Sequence, residues 1–189
     1  MASVTLTTTS YVVLGLVQEC EPATAYELKA FADRSIGYFW DFPRSQIYAE
    51  STKLVTAGLL DEDQEASGRR RRTLSLTGAG RTALSEWVGK PSDTVSEIRD
   101  RGLLQLFFSQ AVDADALVEL ARHQSDAHRT RLAEYEAIAA AFGEDAANDP
   151  TRLSLEAGLR FERLFVEFWD GIATSPPARV PNWRRQRAR

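Results

Sequence analysis

A single cysteine, Cys20, rules out an internal disulfide framework and suits a reducing cytoplasm, the expected location. Cys20 ends an apolar helical stripe, so its expected role is that of a small buried hydrophobe. No apolar run reaches the roughly 18 residues that a membrane-spanning helix needs. The opening stretch, MASVTLTTTSYVVLGLV, lacks the positive charge and small-residue cleavage site of a secretory signal. There are only two histidines, His123 and His128. Five positions apart on a helix they lie roughly 140° apart, so they form no metal pair. No Cys/His/acid cluster has ligand spacing, no serine sits in a nucleophile elbow, and no glycine-rich phosphate loop occurs. The sequence therefore implies no metal, no cofactor, no membrane and no enzymatic chemistry.

Hydrophobic residues make up 43% of the 189, enough to build cores in one or two small domains. The formal net charge of −4 hides an uneven distribution. Residues 1–91 carry 10 Lys/Arg against 11 Asp/Glu, residues 92–178 carry 8 against 16, and residues 179–189 carry 5 arginines and no acid. Within the near-neutral first segment the basic residues are grouped, with Arg69 to Arg72 consecutive, so local field matters more than net charge.

The first ninety residues read as helix, helix, helix, strand, turn, strand, helix. Val13, Leu16, Val17 and Cys20 recur at helical spacing, with Ser10 or a preceding threonine as the cap. Glu21–Pro22 breaks the pattern, and Thr24 caps a second helix with Leu28 and Phe31 inside. An aromatic link follows, in which Tyr38, Phe39, Trp40 and Phe42 are expected as core beneath a loop. Pro43 opens a third helix as its first residue. Ile47, Ser51, Leu54 and Val55 share its inner face; Ser45, Ala49, Lys53 and Thr56 lie opposite, flanked by Gln46, Thr52 and Tyr48. Gly58 suits its end. "LLDED" and "RTLSLT" are strands of a hairpin whose charged tip is "QEASGRRR". Thr77 caps a fourth helix carrying Leu84, Trp87 and Val88.

Three helices and a two-stranded hairpin with a basic tip describe a winged helix-turn-helix. The arginines are then the wing, able to hold backbone phosphate while the third helix enters a major groove. The expected class is mainly α with a small β-hairpin: a winged helix-turn-helix at 1–91, a C-terminal helical dimerisation domain at 92–175, and a basic, disordered tail at 176–189. In the second part, "DTVSEIRDRGLLQLFFSQ" is expected as a helix carrying Val95, Ile98, Leu106 and Phe107, with Leu103 and Leu104 adding to its apolar content. A second helix runs from about Ala114 to Phe142, roughly 40 Å long. Asp149 and Pro150 open a third. Leu117, Leu120, Tyr135, Ile138, Phe161, Leu164, Phe165, Phe168 and Trp169 offer more apolar surface than one chain can cover, which points to a homodimer. Closure of a monomeric bundle is the alternative. Trp169, Phe165, Phe168 and Trp87 are candidates either for that core or for the walls of an aromatic effector pocket.

"YVVLGLVQECEPATAYELK", "FWDFPRSQIYAESTKLVTAGLL" and "GRRRRTLSLTGAGRTAL" resemble, in order, the opening, recognition helix and wing of the PadR-type transcriptional regulators. "RLAEYEAI" and "GLRFERLFVEFWDGI" are similar to the long C-terminal helices of the family's larger subfamily. The resemblance covers about residues 8–174. It implies a homodimeric regulator of double-stranded DNA, usually a repressor, sometimes released by a small effector. It places Tyr26, Lys29, Ser45, Gln46, Tyr48 and Lys53, with Arg69, Arg70, Arg71 and Arg72, toward DNA. Gln46 is suited to adenine edges and the arginines to phosphate. The sequence departs from the family pattern at Ala25, where glycine is common, at Ala49, where many members have proline, and at Ser51, where leucine is usual. A winged-helix protein-interaction module that never touches DNA is the other reading.

Overall fold

The computed structural model describes residues 5–40, 43–64, 71–143 and 149–177. Two compact units divide it, Met1–Val95 and Ser96–Arg189. In the first, α1 (Thr8–Cys20) starts at Thr7, whose hydroxyl accepts the Ser10 N–H while Ser10 Oγ accepts the Thr7 N–H at 2.9 Å. Ser10 is thus the third residue of a capping box, not the cap. Val13, Leu14, Leu16 and Val17 are buried. Cys20 packs only partly against that core. Burial still pushes its thiol pKa up, with Arg34 opposing.

Thr24 and Glu27 make the same reciprocal box at the start of α2 (Ala25–Asp33). Beyond it a 3-10 turn, Ile36–Tyr38, seats Ile36 against the core and turns the chain outward. Phe39 is 68% exposed and Trp40 is also exposed, so these two are not core as expected, while Tyr38 is half-buried; Phe42 lies outside the described residues. Pro43 precedes α3 (Arg44–Thr56) as its N-cap, one position earlier than anticipated. Gly58 follows with φ 71°, the left-handed conformation that favours glycine after a helix.

Strands β1 (Leu60–Gln64) and β2 (Arg72–Leu76) pair antiparallel with Leu60 opposite Leu76, Glu62 opposite Leu74 and Gln64 opposite Arg72. A two-stranded ribbon is marginal alone, and this one gains support in two ways. Leu60, Leu74 and Leu76 enter the helical core. Ala23 also pairs with Leu74 through hydrogen bonds of 3.2 and 2.8 Å. Thr77 caps α4 (Gly78–Val88) by accepting the Gly80 N–H at 3.0 Å. A Cβ on Gly80 would lie 2.1 Å from the Leu59 carbonyl oxygen, so this turn packs against the end of the third helix's loop only because the residue is glycine.

In the second unit, helix begins later than expected. Residues 91–100 are irregular, and α5 spans only Arg101–Phe107, capped where Asp100 accepts the Leu103 N–H at 2.7 Å. Val95, 86% exposed, and Ile98 have the spacing of a helical face but stand exposed in irregular chain. Asp113 caps α6 (Ala114–Ala140), and Asp149 caps α7 (Pro150–Thr174) by accepting the Thr151 and Arg152 N–H groups. These two helices run antiparallel around Ala121, Phe165 and Trp169, with Leu103, Leu106 and Ile172 against them. Polar cross-links fix their register. Ser125 donates to Asp170 at 2.7 Å and Arg129 pairs with the same carboxylate, His128 meets the buried Glu162, and Arg163 meets Glu136.

Candidate nucleic-acid interface

Helix α3 is two-faced. Ile47, Ser51 and Leu54 are buried, and Ser45, Gln46, Tyr48, Ala49, Thr52 and Thr56 are exposed. The exposed face carries amide, hydroxyl and phenol groups and no acid. Glu50, the only carboxylate of the helix, is turned inward. It accepts from the fully buried Ser10 hydroxyl of α1 and from Lys53 Nζ at 2.8 Å. Lys53 therefore leans back toward α1, not straight out from the exposed face as its position on the helical wheel suggested.

Helix α2 places Tyr26 in the open. Lys29, by contrast, pairs with Asp33 one turn on, and its side chain is only 15% exposed. At the hairpin, Arg71 and Arg72 are exposed. Arg71 pairs with Glu27 of α2, and Arg72 with Glu62 of β1 at 2.7 Å. Arg69 and Arg70 lie outside the described residues.

The base of the hairpin is tied down by carboxylates on one corner of the unit. Glu21 accepts the Leu76 N–H at 2.8 Å and pairs with Arg81 of α4. Glu27 accepts the Thr24 N–H at 2.8 Å and the Thr24 hydroxyl at 2.9 Å, and its other oxygen takes Arg71. The Leu76 amide, then Arg81, hold Glu21 below the usual carboxylate range; the Thr24 amide, then Arg71, do the same to Glu27. Sequence reasoning missed Glu21 and Glu27 as anchors of the wing. Glu27 is legible as a capping-box residue three positions after Thr24, but its tie to Arg71 joins residues 44 positions apart.

Between α2, α3 and the hairpin lies a cleft of about 230 Å³, lined by Tyr26, Tyr48, Ser51, Glu62, Arg72 and Leu74 among others. Ser51 borders it where family members usually have leucine, and its buried hydroxyl has no hydrogen-bond partner among the described residues. The departure thus leaves a notch in the packing beside the exposed face.

The dimerisation candidates divide. Leu117, Tyr135, Phe165 and Trp169 are buried within the second unit itself, and Leu120 and Ile138 are partly covered. Phe161, Leu164 and Phe168 remain exposed on α7, together with Leu153. Trp87 is not among the aromatics of that unit. It lies in the first, stacked on Tyr11.

Residues 13–86, the helices and hairpin just described, match the transcriptional regulator PadR-like family, and residues 98–173 match the virulence activator alpha C-terminal family. Over residues 13–86 the chain is PadR-like. The negative transcriptional regulator PadR of Bacillus subtilis is 23% identical over 171 residues, covering 86% of this chain and 93% of that protein. The crystal structure of Bacillus subtilis PadR in complex with operator DNA superposes with a TM-score of 0.79 at 20% identity, over 89% of this chain and 98% of the other. The same protein in complex with p-coumaric acid gives 0.73 at 20% identity, with the same coverage. The Vibrio cholerae virulence activator AphA gives 0.65 at 26% identity, over 88% and 96%. These relatives are regulators, not enzymes, and the chain shares with them a winged helix and a helical C-terminal extension. Among the described residues no helix is long and apolar enough to cross a membrane.

Proposed function

We propose that this PadR-like chain is a homodimeric repressor that occupies a pseudo-palindromic operator and is released by a small aromatic effector. The observation that carries the DNA reading is the exposed face of α3, where Ser45, Gln46 and Tyr48 stand together without an acid. In this reading α3 enters the major groove, Gln46 reads an adenine edge, and Tyr26 and the wing arginines meet backbone phosphate. Each winged helix reads one half-site, so two-fold pairing of chains is required. The exposed apolar stripe of Leu153, Phe161, Leu164 and Phe168 on α7 supports such pairing. So does a groove of about 430 Å³ bordered by Leu104, Phe108, Val112 and Leu120. The negative regulator and the p-coumaric acid complex of the Bacillus subtilis relative support repression and an aromatic effector. The activator among the relatives is the specific observation for the opposite sign of control.

The test is substitution of Gln46 by alanine, with binding measured on operator variants altered one base pair at a time. A specific loss at one position, worth about 1–3 kcal/mol, is expected. A uniform loss at every position, or none, contradicts the assignment.

A further inference from the structure

Four cations stand on the described part of the proposed DNA face, and each has an acid for a partner: Lys29 with Asp33, Lys53 with Glu50, Arg71 with Glu27 and Arg72 with Glu62. The two lysine pairs are set back. Lys29 is largely covered, and Glu50 is tied to the buried Ser10. The two arginine pairs stand forward, with Arg71 49% and Arg72 58% exposed at the side chain. We infer that Glu27 and Glu62 are specificity-determining residues, internal counterions that keep Arg71 and Arg72 from neutralising the phosphates of unrelated DNA.

The geometry makes these acids fixed partners, not passing ones. Both hydrogen bonds from Thr24 fall on one oxygen of Glu27, which leaves the other directed at Arg71 and the carboxylate unable to turn away without losing both of its bonds in the capping box of α2. Glu62 and Arg72 lie diagonally across the ribbon, on the same face two residues apart in register, a spacing that long side chains bridge. An exposed ion pair holds its partners by a factor of no more than about five. That is enough to retain an arginine against a duplex touched loosely and in many registers. It is too little once α3 is seated in its groove and a phosphate is held beside the wing. Arg71 and Arg72 then exchange carboxylate for phosphate on the operator only. Discrimination arises because the acids lower unrelated binding, not because they contact a base.

The inference rests on the DNA-binding reading, and counterion release separates the two. Each phosphate neutralised adds about 0.9 to the slope of log K against log salt. The experiment compares the full-length protein with Glu27→Gln, Glu62→Gln and the double variant, on operator and on unrelated duplex, between about 50 and 200 mM salt. Glutamine keeps the capping box with Thr24, and thermal unfolding of each variant checks the fold. On unrelated DNA the slope is expected to steepen by about 0.9 for each substitution, so that this fourfold rise in salt costs each single variant about 3.5-fold more affinity than the wild type. On the operator the slope stays that of the wild type, and the operator-to-unrelated ratio falls. An unchanged slope on unrelated DNA overturns the inference, as does steepening on both duplexes, or a weakening of both with slopes unchanged. If the wild type itself binds no DNA in a salt-dependent way, the DNA reading fails instead.

Discussion

Tyr11 of α1 and Trp87 of α4 stack face to face, their ring centroids 4.9 Å apart and their planes 7° apart. The contact clasps the first helix of the winged unit to its last. Trp87 remains 42% exposed, so its worth lies in the stack as much as in area removed from water. Trp87→Ala is expected to destabilise the unit by about 1–2 kcal/mol, and Trp87→Phe by less, since a ring remains to stack. Denaturant unfolding measures both. Equal losses would mean that the stack contributes nothing.

Gly80 and Gly78 are two residues apart on α4 and should respond oppositely to alanine. A Cβ at Gly80 meets backbone and the Leu76 side chain, whereas nothing lies within 4 Å of one at Gly78. Gly80→Ala is expected to cost about 1–3 kcal/mol through overpacking. Gly78→Ala should be neutral or stabilising by up to about 1 kcal/mol, because alanine loses less conformational freedom in a helix.

Ser51 buries a hydroxyl that no group among the described residues satisfies. Ser51→Ala removes that desolvated oxygen and raises helix propensity, so the variant should gain about 1 kcal/mol in denaturant unfolding. A loss of that size would instead show that the hydroxyl is stabilising where it stands.

Three carboxylates that tie elements together sit below their usual titration range: Glu21 through the Leu76 amide and then Arg81, Glu27 through the Thr24 amide and then Arg71, and Asp170 through Ser125 and then Arg129. A carboxylate whose folded pKa is depressed adds stability that is fully present above its unfolded pKa and lost as pH falls through the folded value. Stability should therefore hold at neutral pH and decline as pH drops below about 4, the ordinary carboxylate value. Glu21→Gln should remove Glu21's share of that decline and leave the share of Glu27 in the same unit. Urea midpoints measured across pH check the sign.

What could be read from the sequence followed local physics. Thr24, Thr77 and Asp149 announce helix starts because a cap acts within three residues, and Gly58 announces an end for the same reason. Leu74 and Leu76 point inward by strand alternation alone. The errors arose where a distant surface decides. Val95 and Ile98 have helical spacing yet stand exposed, and Phe39 and Trp40 are apolar but exposed after the 3-10 turn. At the candidate interface, periodicity separated the inner and outer faces of α3. It could not show that Arg71 and Arg72 are held by acids, since Glu27 and Glu62 lie on another helix and strand whose place depends on the whole fold. Lys29 with Asp33 and Lys53 with Glu50 are one turn apart on a single helix, a spacing local rules do cover.

The most direct test of DNA reading by this chain is a titration of the purified protein against its own upstream intergenic duplex at about 50 and 200 mM salt, with unrelated duplex as competitor. The predicted result is binding by two chains per site that resists the competitor and weakens as salt rises. Equal affinity for the upstream and unrelated duplexes, carried through a selection of bound fragments from the whole genome that recovers no preferred sequence, would contradict it and leave the winged helix as a protein-interaction module.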